Sequence, residues 1–148
     1  MSALLAMAVA SVVADPVPEA WVDAVEHIES GGRNISGDSG RAKGVFQFWS
    51  VAWADCSKVR KKAGLAVHPY SKATDRVVAR EYARTWLTYL RNRLTIEIGR
   101  PASAAETWLA YNLGFTGFKA IGYQWAFAPH DKFSKALTVQ QLANKKSK

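Results

Sequence analysis

The sequence predicts a mainly α-helical single domain with at most a minor β element. Three observations carry that reading. Apolar residues recur at helical spacing in several segments, caps and breakers fall at the ends of those segments, and alternating strand patterns are scarce. A length of 148 residues suits one domain around one core. No internal repeat, low-complexity stretch or inter-domain linker interrupts the chain.

The elements follow in order. Ala3 to Ala14 is an apolar run of small and aliphatic residues broken only by Ser11, and Asp15-Pro16-Val17-Pro18 ends it. It is too short to span a bilayer as a helix. Its length and small residues suit a signal peptide over residues 1–14, yet no Lys or Arg precedes it. The competing reading is a first helix packed on the domain, and both stand at this point. The domain proper is then 15–148, with a basic tail at Lys145, Lys146 and Lys148.

Trp21, Val22, Val25 and Ile28 fall on one helix face. Pro18 is tolerated in a first helical turn, and Gly31-Gly32 stops the helix, so Glu29 sits in its last turn beside the apolar stripe. Asn34 to Lys43 is rich in Gly, Ser and Asp and reads as a loop. A buried segment is expected from Gly44 to about Cys56. Thr74-Asp75 starts a long helix reaching about Leu94, with Val78, Tyr82, Trp86, Leu90 and Leu94 on its apolar side. Gly99-Arg100-Pro101 breaks the chain. Ser103 with Glu106 is a capping-box pattern for a helix through Trp108 and Tyr111, and Thr138 with Gln141 repeats the pattern near the tail. Ile96 to Ile98 and part of Gly44 to Phe48 are the strand candidates.

Composition narrows the function classes. A hydrophobic content of 49% and six tryptophans argue against disorder. A net charge of +8 and a pI of about 9.8 speak of acidic partners, not of fold. Nucleic acid, anionic lipid and the bacterial wall are the candidate polyanions. The dense run Lys58, Arg60, Lys61 and Lys62 reads as a solvated face. No recognition motif and no interleaving of aromatic and basic residues point to nucleic acid, so none is expected as a partner. The single cysteine, Cys56, forms no internal disulfide and reads as a small buried residue. It and the three histidines lack metal-ligand spacing, so neither a metal nor a cofactor is expected.

Three short segments carry chemistry. They are Glu29-Ser30-Gly31-Gly32, Gly44-Val45-Phe46-Gln47-Phe48 and Ala110-Tyr111-Asn112-Leu113-Gly114. The first places a carboxyl group at a helix C-terminus, where the helix dipole disfavours its charge. Glycoside cleavage needs an acid that is protonated near neutral pH, and an apolar setting raises a carboxyl pKa. Gln47 and Asn112 offer paired donors and acceptors for sugar hydroxyls or N-acetyl groups. Tyr111 can hydrogen-bond Glu29 or a substrate. Gly44 permits close approach of backbone to a sugar. Phe48, Trp49 and Trp53 suit stacking on sugar faces, and their spacing suits a core equally well. Each residue alone is as well read as ordinary structure: a surface glutamate, a satisfied amide, a core tyrosine.

In this order the three segments resemble the catalytic domain of soluble lytic transglycosylases. That family's pattern reads E-S, then G-L-M-Q, then A-Y-N-x-G, and the likeness spans about residues 21–122. It implies a lysozyme-like fold and cleavage of peptidoglycan glycan strands at the MurNAc-β-1,4-GlcNAc bond. It implies Glu29 as the catalytic residue, with Ser30, Gly44, Gln47, Phe48, Tyr111 and Asn112 binding the substrate or positioning the site. It also implies a one-carboxylate mechanism that leaves 1,6-anhydro-MurNAc ends. The chain departs from the pattern in places. Val45-Phe46 replaces Leu-Met, Arg41 stands where glycine is common, and Phe48-Trp49-Ser50 stands where methionine-proline often follows. These leave subsite detail and stem-peptide preference open.

The competing readings are a hydrolytic lysozyme or phage endolysin, with Asp38 or Asp55 as second carboxylate, and a catalytically inactive wall-binding or structural module. The expected partner is the glycan strand, within a secretion, conjugation or phage assembly, and the expected state is a monomer. The expected location is the periplasm or outside the cell if 1–14 is a leader. Otherwise it is phage-delivered or virion-associated.

Overall fold

The computed structural model describes residues 15–145. The readings of 1–14, Lys146 and Lys148 lie outside the described residues. Within them the chain is a mainly helical single domain. Six helices run α1 Glu19–Ser30, α2 Ser50–Lys62, α3 Arg76–Ile98, α4 Ala104–Leu113, α5 Phe115–Ala120 and α6 His130–Ala143. A small antiparallel sheet lies between α1 and α2: β1 Ser36–Gly37, β2 Ala42–Lys43 and β3 Phe48–Trp49, in that order. Ser36 faces Lys43 across the first pair, and Lys43 faces Phe48 across the second.

Local chemistry sets the helix ends. Gly31 adopts a left-handed conformation (φ 65°) and its N–H closes α1 onto the His27 carbonyl at 2.8 Å. The Asp75 side chain accepts from the Val77 and Val78 amides at the start of α3. Ser103 and Glu106 form the reciprocal capping box that starts α4.

Three expectations are corrected. Ile96 to Ile98 is helical, not a strand. α3 continues to Gly99, whose left-handed cap (φ 72°) is the actual stop, because among the described residues no strand pairs with this segment to realise its β propensity. Thr138 is not a cap. α6 starts eight residues earlier, after Pro129, and the Thr138 hydroxyl donates to the Ser134 carbonyl one turn back. The segment from Gly44 to Cys56 is not buried throughout. A tight turn gives way to β3 and then to α2, so Phe46, Phe48, Trp53 and Cys56 point inward while Trp49, Ser50 and Val51 face out.

α4 is the central element. Ala104 to Ala110 are all buried, and α4 packs against α3, α5 and α6, while α6 also packs on α1. An aromatic cluster joins the sheet to the helices. Phe48 meets Trp53 edge-on at 5.1 Å, and Trp53 stacks on Tyr82 at 3.7 Å. Each such large apolar side chain contributes roughly 1.5–3 kcal/mol through burial. Burial also pushes the Cys56 thiol up to about 12, against a smaller opposing pull from Arg60, so it stays protonated and unreactive. Among the described residues no helix is long and apolar enough to cross a membrane.

Candidate functional site

The three segments meet at one turn. Gly44 to Gln47 closes with a hydrogen bond from the Gln47 amide to the Gly44 carbonyl at 3.1 Å. Its successive carbonyls are held by side chains from the three different segments. The Gln47 amide nitrogen donates to the Gly44 carbonyl at 2.9 Å, and also to the Ile35 carbonyl at 2.9 Å. The Ser30 hydroxyl donates to the Val45 carbonyl at 2.7 Å. The Tyr111 hydroxyl donates to the Phe46 carbonyl at 2.6 Å. The end of α1, the sheet and the end of α4 are thus fastened to one short stretch of backbone.

Two glycines make that packing possible. Gly44 has φ 77°, and a Cβ there would lie 1.9 Å from the Ala73 carbonyl oxygen. The close approach that Gly44 makes in this structure is to the Ala73 backbone. At Gly37 a Cβ would lie 2.1 Å from Gln47 Oε1, so glycine there leaves room for the amide that braces the turn. Gln47 itself has φ 51°, an uncommon left-handed conformation for a residue with a side chain. Its two bonds to carbonyls help hold it there.

Glu29 emerges from the last turn of α1 beside this turn, and α4 meets its carboxylate. Trp108 Nε1 donates to Glu29 Oε1 at 2.8 Å, and Asn112 also hydrogen-bonds the carboxylate. Trp108 and Asn112 are one helical turn apart on α4 and so address the same group. Burial raises the Glu29 pKa above the usual carboxylate range. The two hydrogen bonds pull it down, as do the charges of Lys132 and Lys135 on α6, without cancelling the effect of burial.

The other expected residues divide clearly. Tyr111 does not bond Glu29, because its hydroxyl is spent on the Phe46 carbonyl. Burial, then the nearby Glu29 charge, hold that hydroxyl well above its ordinary pKa. Ser30 is buried and acts on the turn. Phe48 is 2% exposed and packed edge-on against Trp53, Tyr82 and Tyr111, so little of its ring is left to meet a ligand. The exposed ring of β3 is its neighbour Trp49. Asp38 accepts from the Trp49 indole at 3.3 Å, and Asp55 pairs with Lys58 at 3.4 Å.

A cleft of about 540 Å³ opens beside the turn, lined in part by Gln47, Trp49, Tyr111 and Asn112. Glu29 does not line it directly and adjoins it through Asn112. Trp108 is the site residue that the motif reading missed. The signal was present, since Trp108 and Asn112 stand at i and i+4 on one helix. Among the described residues no three His, Cys, Asp or Glu side chains are grouped to hold a metal ion. No family model, curated protein or solved structure matches the chain.

Proposed function

We propose that this chain cleaves peptidoglycan glycan strands as a lytic transglycosylase with a lysozyme-like fold, using Glu29 as its single acid and base. The observation that carries the reading is the setting of Glu29. It is a carboxyl group raised in pKa by burial, without a directly paired cation among the described residues, and held by the Trp108 and Asn112 side chains next to an open cleft. An acid so tuned is what protonation of a glycosidic oxygen requires. The helical domain with its small sheet and the meeting of the three segments support the lysozyme-like reading.

In the proposed reaction Glu29 gives its proton to the glycosidic oxygen, and the C1–O bond after N-acetylmuramic acid breaks. The substrate's N-acetyl oxygen bonds C1. Glu29, now a carboxylate, takes the proton of the C6 hydroxyl. That oxygen displaces the acetyl oxygen from C1, which forms the 1,6-anhydro ring and restores protonated Glu29. No second carboxylate is needed. Asp38 is tied to the Trp49 indole and does not line the cleft, which supports this version over one with Asp38 as second carboxylate.

The test is digestion of purified peptidoglycan with product mass spectrometry. Anhydro ends, lighter by about 18 mass units than hydrolytic ends because no water is added, are expected. They should be absent with Glu29→Gln. Reducing ends together with a dead Asp38→Asn variant would make the protein a hydrolytic lysozyme. Wall binding without cleavage by any variant would make it a binding module.

A further inference from the structure

Two indole rings bound the cleft, and each has a neighbouring side chain packed on it. Trp49, on β3, is 43% exposed. Its N–H is tied to Asp38, and the Arg41 guanidinium lies over its ring at 5.7 Å from the centroid. Trp86, on α3, stacks on Tyr89 with centroids 5.1 Å apart and planes 12° from parallel. Neither Arg41 nor Tyr89 lines the cleft, while both indoles do. Each ring is therefore held from outside the cleft and borders the space within it.

We infer that Trp49 and Trp86 form a sugar-stacking subsite that binds an N-acetylated pyranose of the glycan strand, next to the position served by Glu29. The inference rests on the glycan-cleaving reading above. A pyranose presents a face of C–H groups and a rim of hydroxyls. The cleft offers aromatic walls together with the polar groups of Asn112, Asp55 and Arg93. Rings packed against a neighbour lose less freedom on binding than free ones, so ordering offsets less of the stacking. Stacking would serve a nucleobase equally well. The charges argue against that ligand: the cleft lining carries one cation, Arg93, and one anion, Asp55, rather than a row of cations that tracks a phosphate backbone.

The experiment uses the full chain carrying Glu29→Gln, with the β-1,4-linked tetramer of N-acetylglucosamine as probe and the indole N–H signals as readout. The Trp49 and Trp86 signals should move and that of Trp125, which lies outside this cleft, should not. Trp49→Ala and Trp86→Leu should each weaken tetramer binding by about tenfold, with Trp125→Leu as the unaffected control. Trp86 is partly buried, so its variant risks the fold. The Trp49→Ala variant and the signals of the unsubstituted indoles do not carry that risk. Tetramer binding with both signals unmoved, or at full affinity in Trp49→Ala, overturns the subsite and leaves the glycan reading standing. Failure of every chain to bind either the tetramer or purified peptidoglycan overturns both. Movement of the same two signals by oligothymidylate and not by the tetramer assigns the cleft to single-stranded nucleic acid and overturns the inference.

Discussion

Glu106 and Glu29 both meet α4 with restricted access to water, and their surroundings bias them in opposite directions. Glu106 lies in the first turn of the helix and its side chain is 3% exposed. Burial pushes its pKa up, but a forked pair of bonds from Arg100 at 2.9 and 2.7 Å, with Ser103, more than offsets this and holds it below the usual range. Glu29 addresses the later turns through Trp108 and Asn112. It has neutral donors in direct contact and, among the described residues, no directly paired cation, and burial wins. The difference teaches what separates a carboxylate held as a fixed charge from one that keeps its proton. Burial is common to both, and the partner decides. A guanidinium makes the carboxylate a fixed charge. An indole and an amide fix its position while leaving its proton available.

The largest expected effect is on catalysis. Glu29→Gln should keep the fold and reduce glycan cleavage by at least about a hundredfold, the usual worth of a positioned acid. Near-wild-type clearing of purified walls by the folded variant would break the comparison.

The sharpest expected effect is a crossing in stability. A carboxyl group with a raised pKa binds its proton more tightly in the folded state. Folding stability therefore falls as pH rises from the ordinary carboxyl pKa through the raised one. Glu29→Gln should remove that loss and be more stable than the parent chain at neutral pH, with the advantage fading below about pH 4. Glu106 has the opposite sign. Its contribution is present above the ordinary pKa and is lost as pH falls through its lowered value. Glu106→Gln should thus cost about 1–3 kcal/mol at neutral pH and less in acid. Thermal melts across pH check both, and two variants that shift in the same direction would refute the contrast.

Tyr111→Phe and Ser30→Ala each unfasten one carbonyl of the turn. Each should cost about 1–3 kcal/mol in stability and slow cleavage by roughly tenfold through misplacement of the turn. Melts paired with product assays measure both. A loss of activity without any loss of stability in Tyr111→Phe would instead put its hydroxyl in the chemistry.

Trp108→Phe deletes a donor that favours charged Glu29. The upper pH limit of activity, set by loss of the Glu29 proton, should move to higher pH. A pH–rate profile reads this directly, and a move to lower pH would contradict the assigned role.

The smallest effect is expected where a carboxylate is paired in the open. Arg84 and then Arg80 hold Glu19 down to about 2, with burial opposing them, but its side chain is 55% exposed. Glu19→Gln should cost no more than about 1 kcal/mol. The parent's advantage should disappear as pH falls through about 2, as denaturant titrations in acid would detect.

The helical class, the end of α1 and the starts of α3 and α4 were legible in the sequence, because side-chain caps and a left-handed glycine act over a few neighbouring residues. The place of Glu29 in the last turn of α1 was legible in the same way, since Gly31 stops the helix just after it. The end of α3 was harder, since Ile96 to Ile98 suits a strand by propensity and only a partner strand would have made it one. Tertiary structure alone decided which groups the remaining motif residues touch. Whether Gly44 approaches a ligand or the Ala73 carbonyl, and whether Tyr111 serves a carboxylate or the Phe46 carbonyl, depends on groups far away along the chain. The same is true of the Glu29 proton. Its pKa is set by the packing that buries it and by Trp108, 79 residues away, and neither is written in the residues beside it.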